Sequence, residues 1–242
     1  MPYDRRRPRL WQFDYLHLRP LVLDLEQRLP DALRGARFRL DLGCGDSPYR
    51  DLLEGGGPRG WVIRVDAWTG PHPDVVARAE ELPFMTGAFD AVLATQVLQS
   101  VEDPGRAAAE MGRVVSSGGR VWASTHGAWP HCSPVPEHRF GEPDLRALFA
   151  GLHVREVVPE AGLLAHPFAL LNIVVREATR AADRRLGALA WPARPLAAVV
   201  FLLSNLTGRL LERLAMRGPL AIFLGALDRS LPLNYLVVAE KP

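Results

Sequence analysis

The sequence predicts an α/β fold in which a mostly parallel, doubly wound sheet of about seven strands is covered on both faces by helices. Three observations predict it. Short apolar runs alternate with helical stretches through most of the chain, and strands separated by helices pair in parallel. The first clear strand, Arg37 to Leu42 in "RFRLDLGCGDSPY", breaks into Gly43 and Gly45. Gly-x-Gly at a strand's carboxyl end lets the backbone approach a ligand with no side chain in the way. The next strand, "GWVIRVD", ends on Asp66 about twenty residues on, where a carboxylate accepts hydrogen bonds from ribose hydroxyls.

The elements follow in order. Leu16 to Leu29 forms a helix, with Leu21, Leu23, Leu25 and Leu29 among charged residues. Arg37 to Leu42 is the first strand, and Ser47 to Leu53 starts a helix. Gly60 to Asp66 is the second strand, Val75 to Ala77 a short third, and Phe89 to Thr95 a fourth backed by a helix over Asp103 to Val115. Gly118-Gly119 makes a turn into a fifth strand, Arg120 to Thr125. A helix over Pro143 to Ala150 and a sixth strand over His153 to Val158 come next, and Asn234 to Glu240 is the last strand. Three apolar helices precede it, Pro167 to Leu186, Pro195 to Met216 and Pro219 to Leu227, each with a proline near its first turn.

Composition narrows the function. With 48% hydrophobic residues the chain can bury a core, and its net charge of +2 argues against a dedicated nucleic-acid binder. Lys241 is the sole lysine, a bias of base composition rather than of chemistry. Cys44 and Cys132 make neither a disulfide framework nor a metal site. Arg5, Arg6, Arg7 and Arg9 are followed by no apolar signal region, and the longest apolar run, Leu196 to Leu203, is far short of the ~20 residues that span a bilayer. The expectation is a cytoplasmic protein, with peripheral membrane contact as the alternative.

The ligand is a dinucleotide or another nucleoside. A dinucleotide site wants a third glycine, and Pro48 stands there. Asp41 precedes the glycines, where an acid suits a ligand with a positively charged amino group. Here "DLGCG", the acid after "VIRVD", "AEELPFMTGAFDAVLATQVLQSVEDP" and "RVVSSGGRVWAST" together resemble class I S-adenosylmethionine-dependent methyltransferases, in order, from about Leu40 to Thr125. The resemblance implies a Rossmann-like sheet whose last strand is antiparallel, and S-adenosylmethionine as cofactor. It implies that Gly43 and Gly45 pass under the methionine part, that Asp66 binds the ribose, that Ala79 and Glu80 line the adenine, and that Gln96 faces the methionine. Trp68 is placed to flank the adenine or to pack in the core. Arg78 stands where many relatives carry an Asp, and Gln96 and Ser100 where many carry Glu and His.

Methyl transfer chiefly needs alignment of nucleophile and methyl. A hydroxyl acceptor also needs a base. His126, straight off the fifth strand, is the first candidate, with His131, Glu137 and His138 in the loop behind it and His17 on the N-terminal helix. His72, His153 and His166 have no positional argument, and Trp129 lines an acceptor pocket or anchors its loop. The reading is a methyltransferase for a small-molecule or lipid- or sugar-linked acceptor, at O or N. A non-catalytic binding or scaffold protein on the same fold is the alternative, and an NAD-dependent oxidoreductase a more distant one. Residues 1–36 are expected as a helical segment over the cofactor site, 37–160 and 232–242 as the catalytic domain, and 161–231 as an apolar insertion at the mouth of the site, lid or interface. Arg176, Arg180, Arg184 and Arg185 are expected to form a basic face on that insertion, which meets a membrane surface or a second copy of the chain.

Overall fold

A computed structural model describes residues 4–55, 60–70, 72–130, 137–215, 225–226 and 229–242. The elements are α1 (Tyr15–Ala32), β1 (Phe38–Leu42), α2 (Arg50–Glu54), β2 (Trp61–Asp66), β3 (Val75–Val76), β4 (Phe89–Thr95), α3 (Pro104–Val114), β5 (Val115–His126), α4 (Glu142–Leu148), β6 (His153–Glu160), α5 (His166–Leu186), α6 (Ala193–Ala215) and β7 (Asn234–Glu240). The expected helix over Pro219 to Leu227 falls almost wholly outside the described residues.

One seven-stranded sheet runs in the order β3-β2-β1-β4-β5-β7-β6. The winding reverses between β1 and β4, which pair in parallel from Arg39↔Ala91 to Leu42↔Ala94. A ligand crevice opens at such a reversal, beyond the carboxyl ends of the strands. β7 is antiparallel to β5, with His126 opposite Asn234. β5 begins five residues before the expected strand, because Val115 pairs with Phe89 and the register then shifts. Gly118, at φ +74°, sits within the strand instead of starting it. At Gly119 a Cβ would lie 2.9 Å from the Asp90 carbonyl oxygen, so only glycine fits there.

The sheet is a continuous apolar core. Leu40, Leu42, Val65, Val92, Ala94, Val121, Ala123, Val237 and Ala239 are buried along the strands, and Ala107, Met111 and Val114 of α3 complete one face. Two charged residues fasten its central strands. Asp90 accepts from the Arg37 and Phe38 backbone amides at 2.7 and 2.9 Å, pinning the start of β1 to β4. Arg39 is fully buried on β1, and its guanidinium donates to the carbonyls of Ala36 at 2.8 Å, Leu33 at 3.4 Å and Leu53. It thereby satisfies helix-end carbonyls that would otherwise be orphaned.

The chain divides into two compact units, 23–158 with 234–242, and 1–22 with 159–233. In this division the first 22 residues group with the helical insertion. The physical reason is a set of side-chain bonds from the insertion to that backbone. Asn205 donates to the carbonyls of Leu10 and Gln12 at 2.7 and 2.8 Å, and Asn172 to that of Phe13 at 3.1 Å. Arg176 lies over the Phe13 ring at 4.2 Å, so it faces inward and the expected basic face shortens to Arg180, Arg184 and Arg185.

Candidate active site

A cavity of about 380 Å³ opens beyond the carboxyl ends of β1, β2 and β4. Leu42, Gly43, Asp66, Ala67, the stretch Ala77–Glu80, Gln96, Val97 and Ser100–Glu102 line it. Of the expected cofactor residues, the structure brings Gly43, Asp66, Ala79, Glu80 and Gln96 together here. Asp41, Gly45 and Trp68 do not line the cavity.

Asp66 is held by the turns on either side of it. The Gly45 amide donates to its Oδ2 at 2.9 Å and the Trp68 amide to its Oδ1 at 3.0 Å. Each oxygen keeps a further lone pair, so the carboxylate is fixed in place and still able to accept. Gly45 thus acts through its N–H, on the carboxylate rather than on the cavity wall. At Gly43, φ is +64° and a Cβ would stand 2.4 Å from Val97 Cγ2, so a side chain there would displace a cavity-lining residue. Trp68 contributes its backbone amide, and its side chain is 71% exposed.

Asp41 lies buried behind the glycines, and its Oδ2 has no hydrogen-bond partner. Burial pushes its carboxyl up to about 6, against the pull of the Ser47 hydroxyl and of the Arg64 charge. Burial likewise pushes the neighbouring Cys44 thiol up to about 11, which keeps it protonated and unreactive at neutral pH.

Glu80 plays a structural part that sequence reasoning missed. Its Oε1 accepts from the Glu102 amide at 2.9 Å and from Arg78 at 3.1 Å, tying the strand-3 turn to the start of α3. Arg78 bridges Glu80 and Glu102 across the rim. These acceptor bonds hold the Glu80 carboxyl below its ordinary range despite its burial.

Gln96 adopts φ +58°, a left-handed conformation that costs a non-glycine residue free energy. Its neighbours hold it there. The Gln96 amide donates to the Ser124 carbonyl at 2.9 Å, and the Gln99 side chain donates to the Gln96 carbonyl at 2.7 Å. Thr125 donates in turn to Gln99 Oε1 at 3.1 Å. Gln99, Ser124 and Thr125 therefore position Gln96, and only the recurrence of Gln three residues on in "QVLQSV" could have signalled the first of them.

His126 ends β5, two residues past Ser124, buried with its ring centroid 6.0 Å from that of Trp129. It is not among the cavity-lining residues. Trp129 is buried, and its carbonyl accepts from Arg139, which also pairs with Glu137 at 2.8 Å. Glu137 is thus engaged in holding its loop. His138 bonds the Val101 carbonyl through Nε2 at 3.0 Å, bracing the cavity edge from behind. His131 and Cys132 lie outside the described residues. His17 and His166 belong to the unit built on the insertion, whereas His72 and His153 lie exposed in the sheet unit.

Residues 40–123 match the methyltransferase-domain family. Malonyl-[acyl-carrier protein] O-methyltransferase of Legionella pneumophila is 28% identical over 131 residues, which cover 47% of this chain. The match spans 46% of that protein's length. The fold recurs in the [4+2]-cyclase SpnF, at 15% identity and a TM-score of 0.57, over 92% of this chain and 80% of that one. It recurs in geranyl diphosphate C-methyltransferase of Streptomyces coelicolor A3(2), solved with S-adenosyl-L-homocysteine, at 15% identity and a TM-score of 0.54, over 93% of this chain and 78% of that one. With the glycine turn, the acid at the end of β2 and the strand order already in place, the matching stretch identifies residues 40–123 as a methyltransferase domain, whose cofactor is S-adenosylmethionine.

Proposed function

We propose that the chain transfers a methyl group from S-adenosylmethionine to an oxygen or nitrogen of a small-molecule or lipid- or sugar-linked acceptor. The observation that carries the reading is the Asp66 carboxylate, locked by two backbone amides on the wall of the cavity between β1 and β4. The residues present fit the cofactor. The lining carries three acids, Asp66, Glu80 and Glu102, against Arg78, a balance that favours a cationic ligand. Asp66 would accept from the ribose hydroxyls, the apolar stretch Ala77, Ala79, Val97 and Val101 would take the adenine, and Gln96 would meet the methionine end. Buried Asp41, with an unsatisfied oxygen, would answer the ligand's ammonium charge. When bound, the cofactor supplies a methyl carbon already activated by its sulfonium.

The chain's own part is to align and to exclude water. For a hydroxyl acceptor we assign His126 as the base, because it leaves β5 beyond the Ser124–Gln96 contact at the ligand end of the sheet. Incubating the protein and methyl-labelled S-adenosylmethionine with fractionated small-molecule and lipid extracts tests the reading. Label should pass to one fraction. His126→Ala should slow that transfer by roughly 10²–10⁴-fold with cofactor binding intact. Full cofactor binding with no transfer to any fraction would favour the scaffold alternative.

A further inference from the structure

The helical unit leaves a long apolar stripe exposed. On α6 the inward face carries Ala197, Phe201, Ser204, Asn205 and Gly208, while Leu196, Val199, Leu203, Leu206, Leu210 and Leu214 stand exposed at three- and four-residue steps. The polar groups are satisfied within the unit. Asn172 donates to Asn205 Oδ1 at 2.8 Å, and Ser204 to the Phe168 carbonyl at 3.1 Å. Neighbouring α5 exposes Leu170, Leu171 and Val174. The turn joining the two helices presents Leu189, 80% exposed, and Trp191, 70% exposed, flanked by exposed Arg184, Arg185 and Arg194.

We propose that the α5–α6 hairpin docks on an anionic lipid bilayer, its turn and outer apolar face sunk into the headgroup layer. An exposed apolar stripe of this size marks an interaction surface. Charge selects the occupant. From His166 to Ala215 there are seven arginines against three acids, a surplus of four in a chain whose whole surplus is two. A second copy would bring two such basic hairpins together, whereas anionic lipid neutralises them. Tryptophan and leucine beside arginine is the chemistry of the bilayer interface, the indole at headgroup depth and the guanidinium groups on phosphate. By length and composition α6 could cross a membrane. Its inward face argues against that. Asn205 is committed to the carbonyls of Leu10 and Gln12, and at Gly208 a Cβ would stand 3.1 Å from Leu16 and 3.2 Å from Phe168. A helix bonded to protein along one side lies on the surface with its other side in lipid.

Co-flotation of the full chain with vesicles tests this with no acceptor or cofactor needed. The chain should float with mixed phosphatidylcholine–phosphatidylglycerol vesicles, and much less with phosphatidylcholine alone or at high salt. Replacing Arg184, Arg185 and Arg194 by Gln should weaken binding about fivefold per residue. Leu189→Glu with Trp191→Glu should abolish flotation with the circular dichroism spectrum unchanged, since both side chains are exposed. The proposal is overturned by absence of flotation on the mixed vesicles, by equal flotation of these variants, or by protein that resists alkaline extraction as a spanning helix would. A dimer in sedimentation velocity that the Glu pair dissociates, without vesicle binding, would assign the face to a second copy.

Discussion

The two units differ in what they leave exposed. In the sheet, apolar side chains of β1, β4, β5 and β7 fill the interior around the buried Arg39 and Asp41, and Asp90 and Arg64 stay towards water. In the helical unit Leu16, Leu18, Leu21 and Val22 are buried together with Asn172 and Asn205, yet a row of further leucines stands on the outside. Water alone explains the first arrangement, because burial of apolar area drives it. It does not explain the second in full, because there a row of apolar side chains remains on the surface. The difference teaches that the two parts answer to different surroundings, a small charged ligand in one and an apolar contact in the other.

The largest expected break lies in the sheet unit. Arg39→Met should cost about 3–5 kcal/mol, because it leaves buried carbonyls of Leu33, Ala36 and Leu53 without their donor. Urea unfolding followed by circular dichroism would measure it. In the helical unit the matching break is Asn205→Leu, an apolar substitution in an interior position. It should destabilise by roughly 2–4 kcal/mol, since two carbonyls and the Asn172 amide lose their partner. A stabilised variant would show that the unit is an ordinary apolar core.

A smaller, pH-dependent difference comes from Asp41. Its carboxyl titrates near 6 when folded, against 3.8 for an exposed Asp, so the folded state binds that proton more tightly than the unfolded one. The contribution is therefore favourable below about pH 4 and is lost as pH rises to about 6. Relative to Asp41→Asn, the wild type should lose up to about 3 kcal/mol across that window. Parallel stability curves for the two proteins would contradict it. The smallest effect belongs to the outer stripe: Leu203→Gln should change stability in water by less than about 0.5 kcal/mol. A large loss would mean that the stripe is covered by the chain itself.

Much of the sheet was legible because two signals coincided there. β4 and β7 fall where their apolar runs end, and the Gly43–Asp66 pair places the cavity at the reversal of the winding. What stayed hidden depends on partners distant in sequence. Gln96 is held left-handed by residues of β5, and Arg39 reads as a polar break in an apolar strand until helix-end carbonyls surround it. The exposure of the Trp68 ring, outside the cavity lining, was equally invisible, because composition does not say which way the turn after β2 points it. On α6, "LAAVVFLLSNL" reads as apolar all round, so composition alone cannot tell that Phe201 faces in and Leu203 out. Only the buried Ser204 and Asn205, bonded to other parts of their unit, orient it.

The central claim is that Asp66, held by its two amides, is the anchor of the cofactor cavity. Calorimetric titration of S-adenosylmethionine into the wild type, Asp66→Asn and Asp66→Ala tests it most directly. Charge-assisted hydrogen bonds of roughly 1.5–3 kcal/mol each should make Asp66→Ala bind at least tenfold more weakly, with Asp66→Asn between the two and all three proteins folded. Unchanged affinity in Asp66→Ala would contradict the account and leave the cavity without its anchor.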